Sequence, residues 1–547
     1  MEGRHQVIVR NCCIEVTNYK KGDCEKLERN FSIYDPLTHR FTIIGMYIDK
    51  TTNTLYLPRG IDIWYVKKVL DERDHIVMNP NKQNNFEKEV LLKYKPRDQE
   101  QFQALNFMCG LTEEYEENLH LPQLSVNLVT GKGKTYCSIA TMCFFQMKTV
   151  IITASTSLLS QWRDNILEYT NFESADIMFL TPEVMHLVAI NKGTKAFKCS
   201  VYLVSHAALR SYANNYGWDQ LNIVFKNLGI GIKIYDEAHT NFDNMLMVDF
   251  YTNVWKTFYV TATPKRSDYK EDRVFQLSQK NIPNIDLFNP DEDPHTDYIA
   301  IKWNSRPSPH QISKCKNMYG LDRNKYIDYI TQNPEFYKMM YIVMDMVLKC
   351  NGRVLFYIGT NDAILRVYKW MGENYPELLG DIGIFTSLMD TRELKLKERE
   401  KKIILSTTKS AGLGEHIEGL KMTVVLAEPF KSEVLARQSL GRTRDKDTMY
   451  VELVDMAFQY IKKFYYAKLP VFNKYALSTE DIFIDQYELN RRSERLKEER
   501  EQHITMSPIR FYDPRFFDYP NYILTGSLET KITSNKEVIV PIHFVES

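Results

Sequence analysis

Two short stretches hold the residue types that phosphate chemistry needs. In LVTGKGKTYC (128–137) an apolar run ends in a glycine-rich turn, and Lys-Thr then opens a helical stretch. Such a turn leaves backbone N–H groups and a helix N-terminus facing an anion. Thr130, Gly131, Lys132 and Gly133 form the turn. Lys134 is placed to reach the outer phosphates of ATP, and the Thr135 hydroxyl is placed to ligate Mg2+. Leu128 stands where the general pattern begins with glycine, yet Gly131 and Gly133, which the tight turn needs, are both present. In IYDEAH (234–239) two carboxylates follow a second apolar run. Asp236 there can hold the magnesium ion, and Glu237 can polarise an attacking water. Adjacent acids at a buried strand end are costly unless a cation balances them. Acids also favour helix N-termini on electrostatic grounds alone; the phosphate loop upstream decides between the two readings. His239, with no partners at ligand spacing, is weak as a metal ligand.

Both stretches need a scaffold that presents strand ends side by side. From about residue 93 apolar strands recur, each followed by a helical stretch: 124–130, 148–155, 200–205, 231–239 and 257–263. The rhythm resumes at 353–360, 381–387, 401–408, 422–429 and 448–455. Strands alternating with helices imply parallel sheets covered on both faces, with chemistry at the carboxyl ends of the strands. The expected fold is α/β, with two tandem doubly wound parallel-sheet lobes at 93–303 and 304–470. A small α+β domain precedes them at 1–92, with a strand at 7–16, a hairpin at 40–60 and a short helix at 61–70. A C-terminal extension follows at 471–547. In it RRSERLKEEREQH (491–503) reads as a solvated helix laced by i,i+4 pairs. SPIRFYDPRFFDYPN (507–521) is rich in aromatics and arginine; its rings could stack bases, and it is better suited to packing on the body or docking a protein partner.

The composition excludes other classes. A chain of 547 residues requires several domains. Its 70 basic residues are matched by 70 acidic ones, so any grip on a polyanion rests on local placement of Lys and Arg. Nine cysteines without a CxxC pair point to reduced thiols. No apolar run approaches the ~20 residues of a membrane helix, and residues 1–13 lack the apolar block of a signal peptide. The expectation is a soluble, intracellular protein that does not engage a membrane.

GKGKT (131–135), DEAH (236–239), TATP (261–264) and QSLGRTR (438–444) stand in the order found in superfamily 2 helicases. Over about 93–460 the chain resembles that family of RecA-like motors, and in particular phage branch-migration helicases of the UvsW type and the poxvirus transcript-release helicase. LYLPRG followed by KPRDQ resembles the same viral group. The resemblance implies further roles. Arg97 and Gln99 fall where helicases flank the adenine. Ser155, Thr156 and Gln161, in TASTSLLSQW, fall at a strand-binding motif, with Ala154-Ser155 in place of the usual Pro-Thr. Thr261 and Thr263 resemble the residues that couple hydrolysis to strand movement. Thr408, Gly412 and Gly414, in STTKSAGLGEHI, fall at a motif that touches nucleic acid and nucleotide, with Glu415 where many relatives carry Asp. Gln438, Arg442 and Arg444 fall at the arginine-finger motif. Asp445 occupies the usual place of the second arginine, which leaves open whether Arg442 or Arg444 is the finger.

The implied activity is ATP-dependent movement on DNA, remodelling branched or partly duplex DNA in viral or phage replication, recombination or repair. ATP with Mg2+ is expected to lie between the two lobes, completed by the arginines. A transcript-release or RNA-remodelling ATPase is the alternative within enzymes. A degenerate motor serving as a binding or structural component is the alternative outside them; Leu128 and the shifted arginine favour it, and Lys134, Thr135, Asp236 and Glu237 oppose it.

Overall fold

The structure, a computed structural model, describes residues 5–35, 40–78, 85–128, 132–191, 198–261, 269–287, 296–318, 320–386, 392–411, 417–440 and 447–506. The chain forms two compact units, Met1–Asn289 and Pro290–Ser547.

The first unit is built on seven strands in the order Ile177–Phe179, Val201–Ser205, Thr149–Thr153, Ile232–Asp236, Lys256–Thr261, Gln123–Asn127 and Asn284–Asp286. Every pairing is parallel. Val201–Ser205, Thr149–Thr153 and Lys256–Thr261 are buried at every position, as in a sheet covered on both faces. The order sets three carboxyl ends side by side: Asp236, Thr261 and the turn after Asn127. The chain therefore leaves Asn127 and Asp236 at the same end of the sheet.

Residues before 79 form a five-stranded sheet in the order Tyr47–Asp49, Thr54–Pro58, Cys13–Thr17, Gln6–Arg10 and Ile76–Met78. The segment expected as one strand over 7–16 is a tight hairpin. Its bend has no glycine or proline; Asn11 holds it instead, donating from Nδ2 to the carbonyls of Val254 (3.2 Å) and Trp255 (2.8 Å). The expected hairpin over 40–60 narrows to Tyr47–Asp49 against Thr54–Pro58, with Asn53 left-handed at φ 51° in the turn. Arg40–Ile43 pairs instead with Ser32–Asp35. The helix expected at 61–70 forms at Ile63–Leu70, capped by Asp62. Ile14, Val16, Leu55 and Leu57 share one apolar cluster with Tyr202, Tyr235 and Met245 of the lobe, so the two sheets enclose a common core.

The second unit repeats the plan in the order Ile382–Phe385, Ile403–Ser406, Arg353–Ile358, Leu420–Ala427, Thr448–Asp455, Thr296–Trp303 and Ser478–Phe483, again all parallel. The division between units falls ahead of the expected boundary at 303 because Thr296–Trp303 pairs along its whole length with Thr448–Asp455. The sheet also reaches past 470: helix Gln459–Tyr475 leads into the edge strand Ser478–Phe483.

The charged stretch 491–503 lies within helix Gln486–Met506 and is not wholly solvated. Leu489, Ser493 and Leu496 are buried, a narrow stripe at i, i+4 and i+7. Lys338 of helix Pro334–Lys349 bonds Asn490, and Arg500 pairs with Glu377 while lying 4.3 Å over the Tyr375 ring. The expected i,i+4 pairs occupy the outer face, at Arg495–Glu499 and Lys497–Glu501. Residues 79–84 and the aromatic-rich 507–521 lie outside the described residues. All nine cysteines are free, and among the described residues no helix is long and apolar enough to cross a membrane.

Candidate active site

Lys134 is the first residue of helix Lys134–Phe145, and Gly133 before it is left-handed at φ 88°. The first turn of that helix contains no acidic residue. Helix dipole and lysine therefore add to one positive end, as a phosphate requires. A side chain at Gly133 would be strained by the backbone, and its Cβ would fall 2.3 Å from Gln101 Nε2. Gln101 is buried and straps the loop: its Oε1 accepts from Arg97 N (2.8 Å), and its Nε2 donates to Lys132 O (3.3 Å). Gly133→Ala is expected to cost about 1–2 kcal/mol from the left-handed backbone alone. It also displaces Gln101 and so weakens ATP binding; thermal melts with and without ATP would read both effects.

The strand Ile232–Asp236 ends at the first carboxylate, and Glu237 turns the chain at φ 52°. A non-glycine residue held left-handed stores about 1–3 kcal/mol, a pattern found at functional sites. The turn is fixed by Ala238 N donating to Val260 O (3.1 Å) and Thr240 N donating to Glu237 O (2.8 Å). It aims Glu237 at Lys134, with Oε1 3.5 Å from Nζ and both side chains about nine-tenths buried. His239 completes the cluster: its Nδ1 lies 2.7 Å from Thr261 Oγ1 and 3.4 Å from Glu237 Oε2. The ring thus sits between Glu237 and the first threonine of TATP.

Asp236 keeps some exposed surface, yet its carboxyl is desolvated. Burial first, then the negative charge of Glu237, pushes it up to about 6, against the opposing pull of a bond from Trp162 and the charge of Lys134. A divalent cation would relieve that excess of negative charge. The Asp236 carboxylate and the half-buried Thr135 hydroxyl are hard oxygens, the donor type that Mg2+ takes. Among the described residues no group of three or more His, Cys, Asp or Glu forms a closed metal cage, the type of site this one does not require.

Other expected residues are more scattered. Arg97 is exposed and pairs with Asp98, while Gln99 is exposed as the first residue of helix Gln99–Cys109. Ser155 and Thr156 open helix Thr156–Tyr169, which also carries Gln161. In the second unit, Thr408 is buried at the start of the short helix Thr408–Ala411, beyond the carboxyl end of Ile403–Ser406. Gln438 lies in helix Glu433–Leu440, but its side chain is outside the described ones. Thr130, Gly131, Thr263, Gly412, Gly414, Arg442 and Arg444 all lie outside the described residues. Sequence reasoning missed Gln101 and Trp162. Gln101 stands two residues beyond the glutamine that was chosen, and Trp162 directly follows Gln161.

Residues 88–266 match the family described as type III restriction enzyme, res subunit. No curated protein matches the chain. Among solved structures it is similar to T4 UvsW, at 13% identity over 88% of this chain and 99% of that one, with a TM-score of 0.33. It is also similar to S. cerevisiae Dbp5 bound to RNA and ADP BeF3, at 14% identity over 74% of this chain and 94% of that one, with a TM-score of 0.49. Both likenesses are loose. The family match spans the segment that holds Lys134, Asp236, Glu237 and Thr261.

Proposed function

We propose that this chain, whose residues 88–266 match the type III restriction enzyme, res subunit family, is a superfamily 2 helicase: an ATP-driven motor that moves on DNA and remodels branched or partly duplex substrates. The observation that carries the reading is the placement of Glu237 3.5 Å from Lys134, at the open end of a helix and beside Asp236. In this reading Lys134 and the backbone of the turn hold the outer phosphates. Glu237 orients a water and accepts its proton as the water oxygen attacks the γ-phosphorus, the bond to the bridging oxygen breaks, and ADP and phosphate leave. Asp236 and Thr135 would hold Mg2+, which would supply charge neutralisation on the phosphate oxygens. Arg442 and Arg444 are proposed to offset the charge of the transferred phosphoryl group. His239 relays a change at Glu237 to Thr261, and from there to the segment after it. Ser155, Thr156, Gln161, Thr408 and Gly412 are proposed to contact the strand, chiefly through its phosphates, which makes the grip tolerant of sequence. The preference for DNA, and for a viral or phage setting, rests on the resemblance in motif order and on LYLPRG.

The reading predicts ATP turnover that rises on addition of nucleic acid, most with forked DNA, less with single-stranded DNA and least with RNA. Phosphate release measured with the three activators in parallel checks it. RNA as the strongest activator would move the assignment to RNA remodelling, and turnover indifferent to all three would sink the motor.

A further inference from the structure

Trp162 has no part in the reading above, yet it touches the centre of the site. Its indole Nε1–H donates to Asp236 Oδ2 at 2.9 Å. A tryptophan N–H is a donor only, so it can serve an acceptor and nothing else. The ring is 3% exposed and belongs to the apolar cluster that includes Ile151, Leu158, Leu159 and Ile166. Packing therefore fixes the ring, and the ring fixes one carboxylate oxygen. The second oxygen of Asp236 is then held at a set angle about the strand end. Trp162 also lies on helix Thr156–Tyr169, which carries the proposed strand contacts Thr156 and Gln161 and is preceded by a third, Ser155.

We infer that Trp162 is a positioning residue: its indole orients the Asp236 carboxylate for the divalent ion and ties that helix to the metal site. The inference rests on the function proposed above, because it takes Asp236 to be a metal ligand. A bond that merely satisfied a buried N–H would, when removed, alter stability and leave metal affinity alone. A bond that orients a ligating carboxylate typically changes metal affinity about 10–100-fold when lost.

The test uses the full chain, Mn2+ as the probe ion and a non-hydrolysable ATP analogue, with Mn2+ binding followed by electron paramagnetic resonance. Trp162→Phe keeps most of the ring and loses the N–H. It is expected to weaken Mn2+ binding about 10–100-fold and to leave metal-free binding of the analogue unchanged. Asp236→Asn serves as the reference. If Asp236→Asn abolishes Mn2+ binding while Trp162→Phe matches wild type, the inference falls and the function stands. If Asp236→Asn also binds Mn2+ like wild type, both fall. A second readout needs no variant at position 162: the wild-type chain, 15N-labelled at its six indoles, with Trp162 assigned by substituting the other five in turn. The Trp162 N–H resonance is expected to shift when Mg2+ joins the bound analogue; a resonance that stays fixed would overturn the inference.

Discussion

Glu237→Gln is expected to keep ATP bound and to cut turnover by about 10²–10⁴-fold, the contribution of a positioned general base. Glutamine preserves the shape of the side chain, so the left-handed turn at 237 and the packing around it survive. What is lost is the negative charge that polarises the water. The same charge lies 3.5 Å from Lys134 and competes with phosphate for it. Its removal therefore leaves ATP affinity equal or higher, while Lys134→Ala weakens binding itself. Affinity from a fluorescent nucleotide titration and turnover from phosphate release separate the two variants. Normal hydrolysis by Glu237→Gln would show that another group orients the water.

The parts of this site that were legible in the sequence are those where an apolar run stops abruptly. GKGKT and DEAH each follow a buried strand of the lobe, and the change from apolar to small or charged residues marks the strand end. Central parallel strands betray themselves in this way because both of their faces are buried. Three of the four edge strands do not; the fourth, Ile382–Phe385, is buried at every position and falls within the stretch read at 381–387. Ser478–Phe483 reads STEDIF and is exposed at nearly every position, while Ile177–Phe179 and Asn284–Asp286 have only three residues each. Such strands are polar or short because an exposed edge must resist pairing with other chains, and the apolar signal goes with it. Thr296–Trp303 was missed for a related reason: Asp297 and Lys302 interrupt its apolar run, and only its neighbours on both sides make it a strand. The helix Gln486–Met506 hid its buried face in a stripe that includes a serine. Trp162 and Gln101 were illegible as site residues because their roles depend on partners 74 and 31 positions away. Spacing within a motif contains no record of such contacts.

Asp249→Ala is expected to destabilise the first unit by about 3–5 kcal/mol, because it leaves a buried ammonium without its counter-charge. Lys233 lies on the strand that ends in Asp236 and is fully buried, with Nζ 2.5 Å from Asp249 Oδ1 and 2.9 Å from Thr252 Oγ1. Tyr235 and Tyr259, stacked at 5.5 Å on adjacent strands, donate their hydroxyls to the same carboxylate at 2.8 and 2.6 Å. Burial, the largest single effect, pulls Lys233 down; the charge of Asp249, the charge of Cys12 and the bonds to both together outweigh it, and the ammonium is held above the ordinary lysine range. The lysine is therefore charged at neutral pH, and truncating Asp249 strands that charge along with the Tyr259 hydroxyl donor, while the Tyr235 hydroxyl keeps the Met245 carbonyl as an acceptor at 3.2 Å. Replacing both charged residues, with Lys233→Met and Asp249→Leu, removes the ion pair as a unit. Together with Tyr259→Phe, which removes the orphaned hydroxyl, the set is expected to recover most of the loss. A chain of two units need not unfold in a single step, so the measurement is amide hydrogen exchange of Ile232–Asp236 set beside that of Arg353–Ile358. Selective loss of protection in the first strand is the expected outcome. Unchanged protection there would mean that Lys233 sheds its proton or reaches water once Asp249 is gone. The network would then contribute little to holding Asp236 in place.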